Sequence, residues 1–151
     1  MEIRAILNKP YTEKQKMEFI VEYNHKQGLP IVETETELQA LCYTVTELEK
    51  REQQRIAMLS LTAADVERGI YKATGMDFDD IIAKVQSLCD SSAEPQNDVL
   101  NIDIKALKIE LKANNFYRGN PYVDAVGNLL GFSKEQLDEF FETNDYTKLL
   151  N

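Results

Sequence analysis

Apolar and polar residues alternate at the start of the chain. Over MEIRAIL the apolar positions are Met1, Ile3, Ala5 and Leu7. This period of two predicts a half-buried β-strand. A helical period follows from Thr12, which matches the capping-box pattern with Gln15, and Gly28 is the predicted stop. The segment LPIVETE then returns to alternation, so residues 1 to 35 predict a compact strand–helix–strand unit.

From Thr34 the spacing of the apolar residues becomes helical. Thr34 with Glu37 and Thr44 with Glu47 match the capping box, and they predict a short helix followed by a longer one. The longer segment, TELEKREQQRIAMLS, carries charge on all sides in its middle. We therefore expect this helix to project or to bridge rather than to lie in a core.

The second half of the chain predicts five further helices. Their expected beginnings are Thr62 with Asp65, the segment FDDIIAKVQSLCD, Asn101 or Asp103, Asn120 with Pro121, and Ser133 with Gln136. Gly75 and Gly131 are expected stops. Val66, Ile70 and Tyr71 mark the apolar face of the first of these helices. Residues 91–98, SSAEPQND, are polar and lack a period, which indicates a loop or linker over about residues 91–100.

These patterns predict an α+β fold that is predominantly α. A small N-terminal strand–helix–strand unit precedes a bundle of short helices. We divide the chain into an N-terminal α/β module with a projecting helix at residues 1–60 and an acidic helical module at residues 61–151.

The charge of the chain, −9, is concentrated in its second half. Residues 1–60 carry eight Lys or Arg against ten Asp or Glu, and residues 61–151 carry nine against sixteen. An acidic surface repels phosphates, so nucleic acid is not an expected partner. The acidic half is interpreted as a solvated surface, or alternatively as an imitation of nucleic acid that occupies a host protein.

Membrane insertion and secretion are not predicted. No apolar run approaches the roughly 20 residues that span a bilayer, and the N-terminus lacks the basic and apolar regions of a signal peptide. Cys42 and Cys89 are far apart and have no metal-ligand spacing. Both fall on apolar faces of predicted helices, and we expect them to be reduced, buried thiols in a cytoplasmic protein.

The candidate catalytic groups have structural interpretations. His25 lies at a predicted helix C-terminus, where a cation complements the helix dipole. Asp77, Asp79 and Asp80 lie at a predicted helix N-terminus and do not match an EF-hand loop. We therefore predict no enzyme activity, no metal and no cofactor. A small enzyme that uses His25 or the Asp77–Asp80 cluster is the remaining alternative.

One segment, NNFYRGNPYVDAVG at residues 114–127, has the composition of a contact site. Most of it suits a corner between two helices, in which Gly119 would adopt a positive φ and Asn120 would cap. Arginine and tyrosine are enriched among the residues that dominate binding energy. Arg118 pairs internally with Asp124 or Glu110, or it anchors a partner. The predicted partner-binding residues are Tyr117, Arg118, Asn120 and Tyr122.

Four segments together resemble a family of small proteins encoded in bacteriophages and prophages, often near tail genes. They are MEIRAILNKPYTEKQKMEFIVEYNHKQG, IVETETELQALCYT with EKREQQRIAMLSLT, and FYRGNPYVDAVGNLLGFSKEQLDEFF. The resemblance implies a non-enzymatic accessory or tail-associated protein that binds a protein partner, located in the cytoplasm of the bacterial host or on the virion. It carries no catalytic motif, so no functional residue is transferred. An acidic inhibitor of a host defence or nucleic-acid-binding protein is the alternative.

Overall fold

Strands are concentrated near the N-terminus, and helices form most of the remainder of the chain. The computed structural model describes residues 1–91 and 103–150. The strands are β1 (Glu2–Asn8), β2 (Ile31–Glu33), β3 (Glu37–Cys42), β4 (Ser60–Thr62) and β5 (Asn115–Tyr117). The helices are α1 (Glu13–Ile20), α2 (Val45–Ala57), α3 (Ala63–Thr74), α4 (Phe78–Ser91), α5 (Ile104–Glu110), α6 (Pro121–Leu130) and α7 (Lys134–Thr143). The prediction of a predominantly helical α+β fold is confirmed.

The chain divides into two compact units, Met1–Gln53 and Gln54–Asn151. The division falls within α2, whereas the sequence-based boundary at residue 60 lies beyond the end of this helix. Apart from Ser91, which ends α4, the predicted loop or linker at residues 91–100 lies outside the described residues.

The first unit contains a three-stranded antiparallel sheet in the order β1-β3-β2. The predicted short helix after Thr34 is wrong, because this segment forms the central strand β3. The Thr34 hydroxyl accepts hydrogen bonds from the backbone N–H groups of Thr36 and Glu37, and it closes the turn between β2 and β3. A threonine of this kind satisfies turn amides as readily as helix amides, so the capping pattern is ambiguous.

The predicted alternation along β1 is wrong at its N-terminal end. Ile3 pairs with Leu41 and Ala5 with Ala40, so two steps along β1 match one step along β3 and Arg4 is an extra residue, as in a β-bulge. A shift of one residue moves a side chain to the opposite face of a sheet. Ile3 therefore does not share the face of Ala5, and it is 52% exposed.

An ion pair joins helix α1 to the face of the sheet that contains Leu38 and Ala40. Both of these β3 side chains are buried. Glu33 pairs with Leu38 in the register, so it occupies the same face, and Lys16 Nζ lies 2.7 Å from its Oε2. The predicted capping box of Thr12 and Gln15 is confirmed. A π-helical turn, Val21–His25, continues α1, and Gly28 follows with a φ of 68°.

Glu33 gives the first unit an expected pH dependence. Hydrogen bonds from Lys16 and from the Tyr11 hydroxyl lower the pKa of Glu33 from 4.5 to about 2. The unfolded chain takes up this proton first as the pH falls, so the stabilisation by Glu33 is complete above pH 4.5 and is lost between pH 4.5 and about 2. We expect an NMR titration of the Glu33 carboxyl to show a midpoint near 2.

Thermal unfolding provides a second measurement of the same effect. The melting temperature of the Glu33→Gln variant should fall less steeply than that of the wild type over the same acidic range. A midpoint near the ordinary value of 4.5 would show that the two hydrogen bonds do not persist in solution.

The second unit contains a larger hydrophobic core built from its helices and β5. Its fully buried members include Ile81, Val85, Leu107 and Phe140. The predicted beginnings at Thr62, Asp103, Asn120 and Ser133 and the left-handed stops at Gly75 and Gly131 are confirmed. Tyr71 was expected on the apolar face of α3, but it is 58% exposed, because the core contacts Val66 and Ile70 instead.

Candidate functional site

The segment around Tyr117 is a strand as well as a corner. β5 pairs antiparallel with β4, with Leu61 opposite Phe116 and Ser60 opposite Tyr117. The pairing continues beyond the strands, because the backbone N–H of Arg118 donates to the carbonyl oxygen of Leu59 at 2.8 Å. The sequence pattern did not predict this two-stranded ribbon of β4 and β5. The short alternations in SLT and NFY were the available signal, but three residues are too few to identify a strand by period.

Alternation along this ribbon separates an inner side from an outer side. Phe116 and Arg118 face inward and are 4% and 3% exposed. Tyr117 faces outward and is 52% exposed. Tyr117 and Arg118, the two predicted contact residues of the types most enriched in interfaces, therefore lie on opposite sides of the chain at the end of β5.

Arg118 has an internal role in the second unit. Its Nε donates to Asp138 Oδ1 at 2.6 Å, its Nη1 to Asp124 Oδ1 at 2.8 Å, and its Nη2 to the carbonyl oxygen of Lys134 at 3.4 Å. Each guanidinium nitrogen thus has an acceptor, and the group joins β5 to α6 and α7. Of the two internal partners that the sequence suggested for Arg118, Asp124 is the one that contacts it. A substitution at Arg118 consequently tests the fold rather than a contact with a partner.

Glu110, the other internal partner considered for Arg118, contacts Asn120 instead. The Asn120 side chain caps α6 by accepting from the backbone N–H of Tyr122 at 3.0 Å, and its Nδ2 donates to Glu110 Oε2 at 2.9 Å. Tyr122 is half-buried against the core. Both residues therefore have roles in the fold, and they are less available to a partner than Tyr117.

Gly119 is required for close approach rather than for a left-handed conformation. The predicted positive φ is wrong, since the glycines with positive φ in the described residues are Gly28, Gly75 and Gly131. A Cβ on Gly119 would lie 2.9 Å from Cβ of Ala57 and 3.0 Å from its carbonyl oxygen. The absence of a side chain therefore lets the chain after β5 pass directly against the end of α2.

Two large exposed side chains lie at or next to the pair of strands β4 and β5, Tyr117 and Met58. Met58 is 72% exposed and lies between Ala57 and Leu59, whose carbonyls accept from Gly119 and Arg118. The segment just after Tyr117 is therefore hydrogen-bonded to the residues on both sides of Met58. We call Met58, Tyr117 and the backbone of Gly119 the corner surface. Met58 was not among the predicted site residues, because only the hydrogen bonds of Ala57 and Leu59 with residues far along the chain bring it there.

The acidic cluster at Asp77 and Asp80 caps α4. Asp77 Oδ1 accepts from the backbone N–H of Asp80 at 2.9 Å, and Asp80 Oδ2 accepts from that of Asp77 at 3.1 Å. His25 is an exposed residue at the end of the π-helical turn that follows α1. Among residues 1–91 and 103–150, no group of three or more His, Cys, Asp or Glu side chains is placed to hold a metal ion.

No helix within the described ranges is both long enough and apolar enough to cross a membrane. Comparison of the chain with known protein families, with curated proteins and with solved structures finds no match.

Proposed function

We propose that this chain is a non-enzymatic accessory protein of a phage or prophage, structural or associated with tail assembly, which acts by binding a protein partner through the corner surface. Its place would be the cytoplasm of the bacterial host or the virion. The resemblance of its sequence to small phage-encoded proteins supports the phage context.

The observation that carries the binding proposal is the pair of exposed side chains at the corner surface. Tyrosine and methionine are both enriched in protein–protein interfaces. Tyr117 and Met58 are exposed, and the backbone at Tyr117 is held in place by the buried side chains of its neighbours Phe116 and Arg118. A rigid support of this kind lowers the entropy that is lost on binding.

We expect a Tyr117→Ser substitution to reduce capture of a partner at least tenfold. This factor corresponds to roughly 1.4 kcal/mol, which is less than a typical interface hot spot contributes. The measurement is quantitative recovery of proteins on the tagged full-length chain from phage-infected or lysogenic cells. Met58→Ser is expected to act in the same direction.

Tyr71→Ser is the matched control, because Tyr71 is a 58% exposed tyrosine on α3 of the same unit. It should leave capture unchanged. If the Tyr117 and Tyr71 variants recover the same proteins in the same amounts as the wild type, the corner surface is not the binding site.

The acidic charge of residues 61–151 favours a second candidate, an inhibitor of a basic host defence or nucleic-acid-binding protein. Long-range attraction between opposite charges is screened by salt. Capture of a basic host protein that is lost between low and physiological salt would support the inhibitor. Co-sedimentation of the chain with assembled phage particles would support the accessory protein.

A further inference from the structure

The sheet of the first unit has a second face, opposite to Leu38 and Ala40. Because side chains alternate along a strand, Gln39 and Leu41 of β3 lie on this face. The register places Ile6 and Val32 on either side of Gln39, and it places Ile3 beside Leu41. We call the five residues Ile3, Ile6, Val32, Gln39 and Leu41 the open face.

The apolar side chains at the edges of the open face are well exposed. Ile3 is 52% exposed, Ile6 47% and Val32 42%. Contiguous apolar side chains on a surface commonly mark a binding site. The β-bulge at Arg4 creates this patch, since it moves Ile3 to the same face as Ile6.

The first unit buries few side chains by itself. Leu38 and Ala40 are the only hydrophobic residues among residues 1–53, all of which the structure describes, that reach full burial. A small unit with so little buried surface is marginally stable, and sheets of this size usually pack a second layer on an apolar face. A layer on the open face would complete a two-sided core around β3.

Charges lie at the two ends of the open face and not in its middle. Arg4, which is exposed, follows Ile3 at one end. Glu37 shares the face of Gln39 by alternation and lies at the other end, opposite Asn8 in the register. The one row between them contains Ile6, Val32 and the uncharged Gln39, whose Nε2 donates to Glu37 Oε1. The open face therefore carries a positive charge at one end, a negative charge at the other and no charge in its centre.

We propose that the open face binds a second copy of this chain, so that two sheets stack face to face about a two-fold axis perpendicular to the strands. Such an axis reverses the strand direction, and it brings the Arg4 end of each copy to the Glu37 end of the other. Stacked sheets pack about 10 Å apart, within reach of these long side chains. The uncharged centre lets the apolar side chains meet without burying a charge.

Pairing of two sheets edge to edge is a different way to form a dimer, and it is less favoured. Bulges and charged side chains on an edge strand prevent edge-to-edge pairing. Strand β1 contains the bulge at Arg4 and also carries the exposed Glu2. The other edge, β2, is three residues long. The face rather than the edge is therefore the surface for association.

The first test is the mass of the full chain in sedimentation equilibrium. We expect the mass to rise from 17.3 kDa toward twice this value as the concentration rises from about 1 to about 500 µM, the range for a small interface. Ile6→Glu and Val32→Lys should each weaken association at least tenfold, and circular dichroism establishes that each variant is folded.

Met17→Glu is the matched control, because Met17 is 59% exposed on α1 and receives the same kind of change. It should leave association unchanged. A mass of 17.3 kDa at every concentration overturns the proposal, and the open face would then be available to a different protein. Association that neither open-face variant weakens also overturns it.

The second test distinguishes the two-fold arrangement from other contacts on the same face. Arg4→Glu and Glu37→Arg should each weaken association several-fold, because each places like charges at the matched ends. The double variant restores opposite charges, and it should associate within about threefold of the wild type. Failure of the double variant to recover would exclude the stacking about this axis.

Discussion

Replacement of Arg118 by methionine is expected to lower the free energy of unfolding by about 3 kcal/mol. Arg118 is 3% exposed, and its guanidinium donates to Asp138, Asp124 and a backbone carbonyl. Methionine fills much of the same volume but leaves these acceptors without a donor, and Asp138 is only 22% exposed. Removal of one partner from a buried ion pair typically costs about 3 to 5 kcal/mol. We expect the lower end, since Asp124 is 52% exposed and can be hydrated. Urea unfolding followed by circular dichroism measures the change.

The two carboxylates provide graded controls for the Arg118 variant. Asp124→Asn should cost less than about 1 kcal/mol, because exposed ion pairs contribute little. The loss of unfolding free energy caused by Asp138→Asn should lie between those caused by Asp124→Asn and Arg118→Met. If Arg118→Met unfolds within about 0.5 kcal/mol of the wild type, the guanidinium does not hold β5 against α6 and α7.

Replacement of Phe140 by alanine is expected to lower the free energy of unfolding by about 4 kcal/mol. Phe140 is 1% exposed, and its ring packs edge-on against Phe141 with the centroids 5.9 Å apart. It also lies directly under α3, since a Cβ on Gly69 would be 2.4 Å from Cζ of Phe140. The close approach of the two helices therefore depends on a large residue in α7 that faces a glycine in α3. Tyr71→Ala, at a 58% exposed position of α3, should stay within about 0.5 kcal/mol of the wild type.

The contact between Gly69 and Phe140 can be measured in a double-mutant cycle. Gly69→Ala alone should cost about 1 to 3 kcal/mol, because the added methyl group collides with the ring. In the Phe140→Leu background the same change should be nearly neutral or stabilising, since alanine favours a helix by about 1 kcal/mol over glycine. Additive effects, without a coupling of at least about 0.5 kcal/mol, would contradict direct packing of Phe140 against Gly69.

Most of the helices could be predicted because their signals are local. Ser133 accepts from the backbone N–H of Gln136, which lies three residues away, and this pair can be recognised from the sequence. The same holds for Asn120 before Pro121 and for the stop at Gly131. The acidic residues at Asp77 and Asp80 were likewise interpreted correctly as belonging to a helix beginning.

The capping pattern fails where its hydrogen bonds serve another structure. Thr34 closes a turn between strands, and the segment after it is the central strand of a sheet rather than a helix. Leu38 and Ala40 are buried on this central strand, which pairs with β1 on one side and β2 on the other. Pairing with distant strands decided this element, and six residues carry too little periodic signal to reveal it.

In the candidate site, too, some features follow from the local sequence and others from the tertiary structure. The sequence by itself determined the corner, its cap and the residue types that suit binding, because those depend on neighbours within four positions. Tertiary structure alone decided that Arg118 is buried between two aspartates, that the residues flanking Met58 accept hydrogen bonds from Arg118 and Gly119, and that Ile3 joins Ile6 on the open face. These outcomes depend on strand register and on approach between segments far apart in the chain. Side-chain orientation follows register, and register is set by long-range packing that no local pattern records.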